Sequence, residues 1–218
     1  MSPELRRLFR SLPIAERFHV WARERSAPLA ALEARVPAGR VLDLGCGHGA
    51  LTARLALSGT RRAVTGVDPD ARKIQWARLA LGALPQVELR EGRAEELLPE
   101  AEGRWDAVVV CDVLYLLPEF QWPELLGTVR RLLKPGGMFL LKEVEGDGSW
   151  RHRKALLQER LMVNVLGRTH GSGGLTLLPR AATLGHLDRA GFTTRQMLDL
   201  RRGYTTPHLL YLAEPSPR

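Results

Sequence analysis

Cysteine is scarce in this 218-residue sequence: Cys46 and Cys111 are its two cysteines. Two thiols make no disulfide framework and stand in no metal-ligand spacing, so they read as reduced, buried residues. Lysine is nearly as rare. Only Lys73, Lys134, Lys142 and Lys154 are lysine, and arginine supplies the remaining positive charge behind a formal balance of +8. Long apolar runs are missing too; none approaches the roughly 20 residues of a membrane-spanning helix. The opening MSPELRRLFRSLPIAERF scatters charge through its apolar positions. It therefore lacks the apolar stretch of a secretory signal, and a cytoplasmic protein is expected. No repeat and no low-complexity segment breaks the chain.

What is present is ordinary for a globular protein: 44% hydrophobic and 26% charged residues,. The length suits one domain with a sizeable core and room for a small added lobe. A positive balance invites an anionic partner, such as nucleic acid, an acidic membrane surface or a phosphorylated substrate. Against that, the basic residues are spread along the chain, and the arginine skew beside abundant Ala, Leu and Gly fits GC-rich coding. Composition is the stronger reading.

The first 35 or so residues have helical spacing. Leu5, Leu8 and Phe9, then Ile14, Phe18 and Trp21, are placed for an apolar stripe on helical faces, with a break at Pro13. From Gly39 onward short apolar runs alternate with helix-length segments. RVLDL, AVTGVD, VELRE, WDAVVVCD and MFLLKEV read as strands, and helices are expected over 49–57, 70–82, 94–98 and 123–133. Such alternation indicates a parallel sheet covered on both faces. FTTRQMLDL and HLLYLAE follow with only residues 201–208 between them, which makes the last pair antiparallel. The expected fold is α/β: a three-layer, doubly wound, mostly parallel seven-stranded sheet with an antiparallel last strand and a helical N-terminal extension. Residues 1–38 are expected to form a helical lid or cap on a domain spanning 39–218. Within that domain, 145–180 forms a lid-like insertion, helical over 151–166 and loop-like at GRTHGSGG.

The segment RVLDLGCGHGALTARLA places Gly45, Gly47 and Gly49 directly after a strand and before a helix. Ligands of open parallel sheets sit beyond the carboxyl ends of the strands. Glycine there lets a ligand approach bare backbone, and the next helix presents its N-terminal N–H groups. The spacing is not the G-x-G-x-x-G of dinucleotide sites, nor the G-x-x-x-x-G-K-[ST] of a P-loop. Asp43, two residues before the first glycine, suits a ligand ammonium and would repel a pyrophosphate.

At these residues the sequence resembles the class I (Rossmann-like) S-adenosylmethionine-dependent methyltransferases, in their small-molecule branch. VLDLGCGHG resembles the family's first motif and VTGVDPD its second. REGRAEEL resembles the adenine-binding segment, WDAVVVCDVLYLLP the fourth strand with its turn, and LLKPGGMFLLKE the fifth. The likeness runs over roughly 39–214. It implies S-adenosyl-L-methionine as cofactor, held by Asp43, Gly45, Cys46, Gly47, Asp68, Pro69, Arg93, Ala94 and Asp112. Asp68 would accept from both ribose hydroxyls. One position departs from the family: Arg93 stands where an Asp commonly accepts from the adenine amino group, and arginine has no acceptor.

His208, Glu143 and Tyr204 are the candidate catalytic residues. Residues 201–208 should overhang the carboxyl edge, and a histidine there has a pKa suited to proton transfer; the plainer alternative is a structural histidine bonded to the turn. Glu143 follows Lys142 at the end of the fifth strand, as general base or as a surface pair. Tyr115 is a lower-ranked pocket residue and His170 a lid candidate, while His48 is positioned by the glycine loop. The Pro-Cys pair of cytosine C5 methylation and the Asn/Asp-Pro-Pro-aromatic motif of base N-methylation are absent, so Cys46 and Cys111 are expected to be packing residues. No metal is expected. The chemistry implied is in-line methyl transfer to a small-molecule acceptor, O- or C-directed, on a secondary metabolite or lipid-like compound, by a monomer or homodimer. Leu156, Leu157, Leu161, Met162, Val163, Val165 and Leu166 would suit an apolar acceptor or plain core packing. The alternatives are an RNA or protein methyltransferase that uses the basic surface and, last, a non-catalytic binding protein.

Overall fold

The computed structural model describes residues 1–59, 61–146 and 176–217. The expected helix over 151–166, its seven apolar residues, Lys154, the GRTHGSGG loop and His170 lie outside the described residues, and with them nearly all of the lid-like insertion.

The N-terminal segment is helical: α1 (Pro3–Leu8), a 3-10 turn (Phe9–Ser11), α2 (Ile14–Ser26) and α3 (Leu29–Glu33). Ser2 caps α1 by accepting from Leu5 N–H at 3.2 Å, and Pro3 sits where a missing N–H costs nothing,. Pro13 and Pro28 stand just outside the two ends of α2,.

The elements that follow among the described residues are β1 (Gly39–Leu44), α4 (Ala50–Leu57), β2 (Arg62–Asp68), α5 (Ala71–Leu81), β3 (Val87–Glu91), a 3-10 turn (Ala94–Leu97) running into α6 (Leu98–Ala101), β4 (Trp105–Cys111), two further 3-10 turns (Leu114–Leu116 and Glu119–Gln121), α7 (Trp122–Leu132), β5 (Leu133–Val144), α8 (Arg180–Arg189), β6 (Phe192–Asp199) and β7 (His208–Pro215). The seven strands lie in the order β3-β2-β1-β4-β5-β7-β6, all parallel except β7. β5 begins earlier than its apolar run suggests. Leu133 pairs with Trp105, the register then shifts, and pairing resumes at Ala107–Met138, so the Lys134-Pro135-Gly136-Gly137 turn is a bulge inside the strand,.

Period-two alternation sorts the side chains into two cores. Val41, Val64, Ala107, Val109, Cys111, Leu140 and Leu210 face α1 through α5. Leu42, Val67, Val108, Val110, Phe139, Leu141 and Leu209 face α6, α7 and α8. The result is three layers. The carboxyl ends of β1, β2, β4 and β5 converge on one edge, and the start of β7 joins them there, because His208 pairs with Val144.

The apolar spacing of the first 35 residues divides in two. Leu5 and Phe9 are buried in the core. Ile14, Phe18 and Trp21 instead point away from the body, at 82%, 62% and 48% exposure. The face of α2 turned inward carries Val20 together with Glu16, His19 and Arg23.

Candidate functional site

The three loop glycines all have left-handed backbone, with φ of 75°, 55° and 80°, but their surroundings differ. A Cβ on Gly45 would collide with Val113 Cγ2, and one on Gly49 would come within 2.6 Å of Leu81 Cδ1. Those two exist for internal packing. A Cβ on Gly47 would meet nothing nearer than Lys73 Cδ at 4.0 Å. Gly47 is therefore where the loop turns bare backbone toward open space.

Asp68, at the end of β2, sits under that backbone. Its Oδ2 accepts from Gly47 N–H at 2.9 Å and its Oδ1 from Asp70 N–H at 2.9 Å. Each carboxylate oxygen keeps a lone pair for a further donor. Asp70 in turn caps α5, accepting from Arg72 and Lys73 N–H. Asp43 is buried and accepts from the Thr52 hydroxyl at 2.7 Å. Burial pushes its carboxyl up to about 6, against that hydrogen bond,. Pro69 and Arg93 are exposed at the rim, while Ala94 is buried beneath it.

The strand-edge residues further along are occupied with one another. Asp112, just past β4, is a non-glycine residue with φ 59°. Its carboxylate is gripped by Lys142 Nζ at 2.5 and 2.6 Å and by Arg23 Nη1 at 2.6 Å. Burial would raise its pKa, but the two cations hold it well below the usual carboxylate range. Arg23 also donates to the Cys111 carbonyl at 3.2 Å. Glu143 Oε1 accepts from Val113 and Leu114 N–H at 3.1 and 2.9 Å and so clamps the turn after β4. Its Oε2 is buried without a hydrogen-bond partner among the described residues. Burial, followed by the charge of Asp112, pushes Glu143 up to about 8, so it carries a proton near neutrality.

His208 is buried at this edge, with Nε2 2.9 Å from the Ser26 carbonyl. A carbonyl only accepts, so Nε2 carries the proton and Nδ1 holds the lone pair; that Nδ1 is buried without a partner among the described residues. Burial pushes the ring down to about 3. This contact joins the start of β7 to the end of α2. Tyr204 is half-buried with its ring edge-on to His208 at 5.3 Å. Tyr115 is buried. Both cysteines are free and buried, and burial raises both thiols, Cys111 to about 12, which suits packing and not nucleophilic attack,.

The N-terminal helices supply what the sequence did not disclose. Besides Arg23, Glu16 of α2 meets His48 Nε2 of the glycine loop at 2.8 Å. Glu24 and Glu33 both hold Arg54 of α4, at 2.9 and 2.8 Å. Near the end of β5, Glu145 accepts from Arg180 and Arg201. The one sequence signal for this clamp was the mixed character of α2, whose Glu16 and Arg23 stand seven apart, on the face opposite Phe18 and Trp21,.

A parallel sheet in this order, a reversed seventh strand, a glycine turn after β1 and an acid at the end of β2 define the class I methyltransferase architecture. Residues 41–137 match the family model described as methyltransferase domain. That match covers a little under half of the chain, and the fold is the Rossmann-like one of such methyltransferases. It is 36% identical over 135 residues to an uncharacterized methyltransferase of Synechocystis sp., covering 62% of this chain and 58% of that one. The chain thus spans a little over half the length of that relative. It is 28% identical over 171 residues to the ubiquinone biosynthesis O-methyltransferase of Pseudomonas aeruginosa, covering 78% and 71%. Its fold is like that of the geranyl diphosphate C-methyltransferase of Streptomyces coelicolor, with TM-score 0.66, 16% identity, and coverage of 93% and 82%.

Proposed function

We propose that this protein transfers a methyl group from S-adenosyl-L-methionine to a small-molecule acceptor. The observation that carries the reading is the contrast within the glycine loop: Gly45 and Gly49 face the protein's own side chains, and Gly47 faces open space directly beside Asp68. That recess fits a cofactor ending in an amino acid and a ribose. Asp68 would accept from ribose hydroxyls, and Asp43 would set a negative potential that suits the ammonium and disfavours a diphosphate. Ala94, with Pro69 and Arg93 at the rim, would border the adenine.

The bound sulfonium supplies an already activated methyl group. The protein's task is then to align the acceptor and exclude water. Residues 1–38 act as the cap, pinned over the carboxyl edge by Arg23 on Asp112 and Glu16 on His48. Asp112 serves as the post of that cap. Glu143 enters as a neutral carboxyl, a donor near neutrality and a base only above about pH 8,. Acceptors that rest as anions, or ionise readily, need no stronger base. The relatives named as a ubiquinone biosynthesis O-methyltransferase and a geranyl diphosphate C-methyltransferase are consistent with an O- or C-directed reaction on an apolar acceptor.

Calorimetry with the methyl donor and with its demethylated product tests the reading. Both are expected to bind, and Asp68→Ala to weaken them at least about tenfold. Unchanged affinity in Asp68→Ala contradicts the ribose role. His208→Asn is expected to leave the pH profile of turnover intact between pH 6 and 8, about the range over which an ordinary histidine titrates; a lost acidic limb would return His208 to catalysis.

A further inference from the structure

We infer that the outer face of α2 is a docking surface for an anionic lipid membrane. The helix is inverted for a surface element of a globular protein. Its charged Glu16 and Arg23 turn inward to His48 and Asp112, while Ile14, Phe18 and Trp21 turn outward. Those three are spaced four and three apart, so they form one stripe. Phe18 and Trp21 stack at 5.5 Å between ring centroids. Of the large hydrophobic residues most exposed among the described ones, these three form the one cluster, Leu79 and Phe120 being solitary.

The charge beside the stripe selects the partner. Arg6, Arg7, Arg10, Arg17 and Arg25 are exposed on this segment, against one exposed acid, Glu4. Arg17 and Arg25 fall on the same side of α2 as the stripe, one at its flank and one in line with it. Aromatic and aliphatic side chains framed by arginines are the makeup of a helix lying in a bilayer interface, where the arginine stems extend the apolar area and the guanidinium groups reach lipid phosphates. A second copy of this chain fits less well. In a two-fold dimer the patch meets itself, which would set arginine against arginine. No helix among the described residues is long and apolar enough to cross a membrane, so the contact is peripheral. It would hold the cap, and the strand edge beneath it, against the surface from which an apolar compound would be drawn. The docking surface stands without the methyl-transfer reading.

The test is sedimentation of the full chain with vesicles of phosphatidylcholine alone and of phosphatidylcholine with phosphatidylglycerol. Binding to the anionic vesicles alone, weakening as salt rises, is expected. The double variant Phe18→Ser/Trp21→Ser should lower the partition coefficient at least about tenfold, with circular dichroism and thermal midpoint unchanged. The Trp21 share of the fluorescence, taken as wild type minus Trp21→Phe, should shift to the blue on the anionic vesicles. Failure to sediment, or equal sedimentation of the double variant, overturns the inference. So does a dimer in light scattering that the double variant dissociates, or RNA binding that displaces the vesicles.

Discussion

Arg23 of α2 and Asp112 after β4 meet at 2.6 Å, joining the N-terminal helices to the centre of the sheet edge across 89 positions of sequence. Asp112 also holds Lys142, which is fully buried, so the three form a chain of charge whose outer member is Arg23. Removing the outer member leaves the inner pair intact. Arg23→Met is expected to cost about 1–3 kcal/mol. Lys142→Met strands a buried carboxylate with one partner at the rim and should cost about 3–5 kcal/mol. Urea denaturation of both variants measures the order. Equal costs would mean that Arg23 and Lys142 share Asp112 evenly.

The loop glycines should separate by experiment. Gly47→Ala meets no atom nearer than 4.0 Å, so its penalty is the left-handed backbone, about 1–2 kcal/mol, together with a marked loss of donor binding. Gly45→Ala and Gly49→Ala add collisions with Val113 and Leu81 and should each cost about 2 kcal/mol or more beyond that. Thermal midpoints and calorimetry read on the same three proteins give the contrast directly. A Gly47→Ala protein that binds the donor like wild type would remove the recess from the site.

How much of this was legible in the chain depends on sequence distance. The strand and helix alternation, the reversed β7 and the glycine turn are local patterns of two to ten residues, and they appear where the residues put them. The bulge at Lys134 to Gly137 extends β5 backward because Leu133 finds Trp105 across the sheet, which no local pattern encodes. The same holds for Arg23, whose partners Cys111 and Asp112 are remote, and for Glu143, which clamps backbone N–H groups 29 and 30 positions earlier. The stripe of Ile14, Phe18 and Trp21 has core-like spacing. Its outward face departs from the rule that apolar faces turn inward, and such departures collect where a protein meets something else.

The proposed cap role of the N-terminal helices predicts a coupling. Glu16 holds His48 on the loop that Gly47 belongs to, and burial lowers the His48 pKa against the pull of Glu16. Glu16→Gln replaces a charged acceptor by a neutral one and should loosen the loop. The expected result is donor affinity weakened about three- to tenfold, with stability changed by less than about 1 kcal/mol. Hydrogen exchange of residues 45–49, faster in Glu16→Gln without ligand, checks the cause.

Glu143 and His208 give the stability curve two opposed limbs. The carboxyl of Glu143 is raised from 4.5 to about 8 in the folded protein. Between those values the folded state binds the extra proton, so stability falls as pH rises, by up to about 1.4 kcal/mol per pH unit. His208 is lowered from 6.5 to about 3. There the unfolded state binds the extra proton, so stability falls as pH drops below 6.5. From about 4.5 to 6.5 the two slopes oppose each other, and wild-type stability should vary little. Glu143→Gln keeps the shape of the neutral carboxyl and cannot ionise. Its denaturation midpoint should stay level from pH 7 to 9, where that of the wild type declines, and should drop more steeply than the wild type between pH 6.5 and 4.5 as the His208 limb is unmasked. Parallel midpoint curves for the two proteins would mean that Glu143 is ionised in the fold, with its Oε2 satisfied.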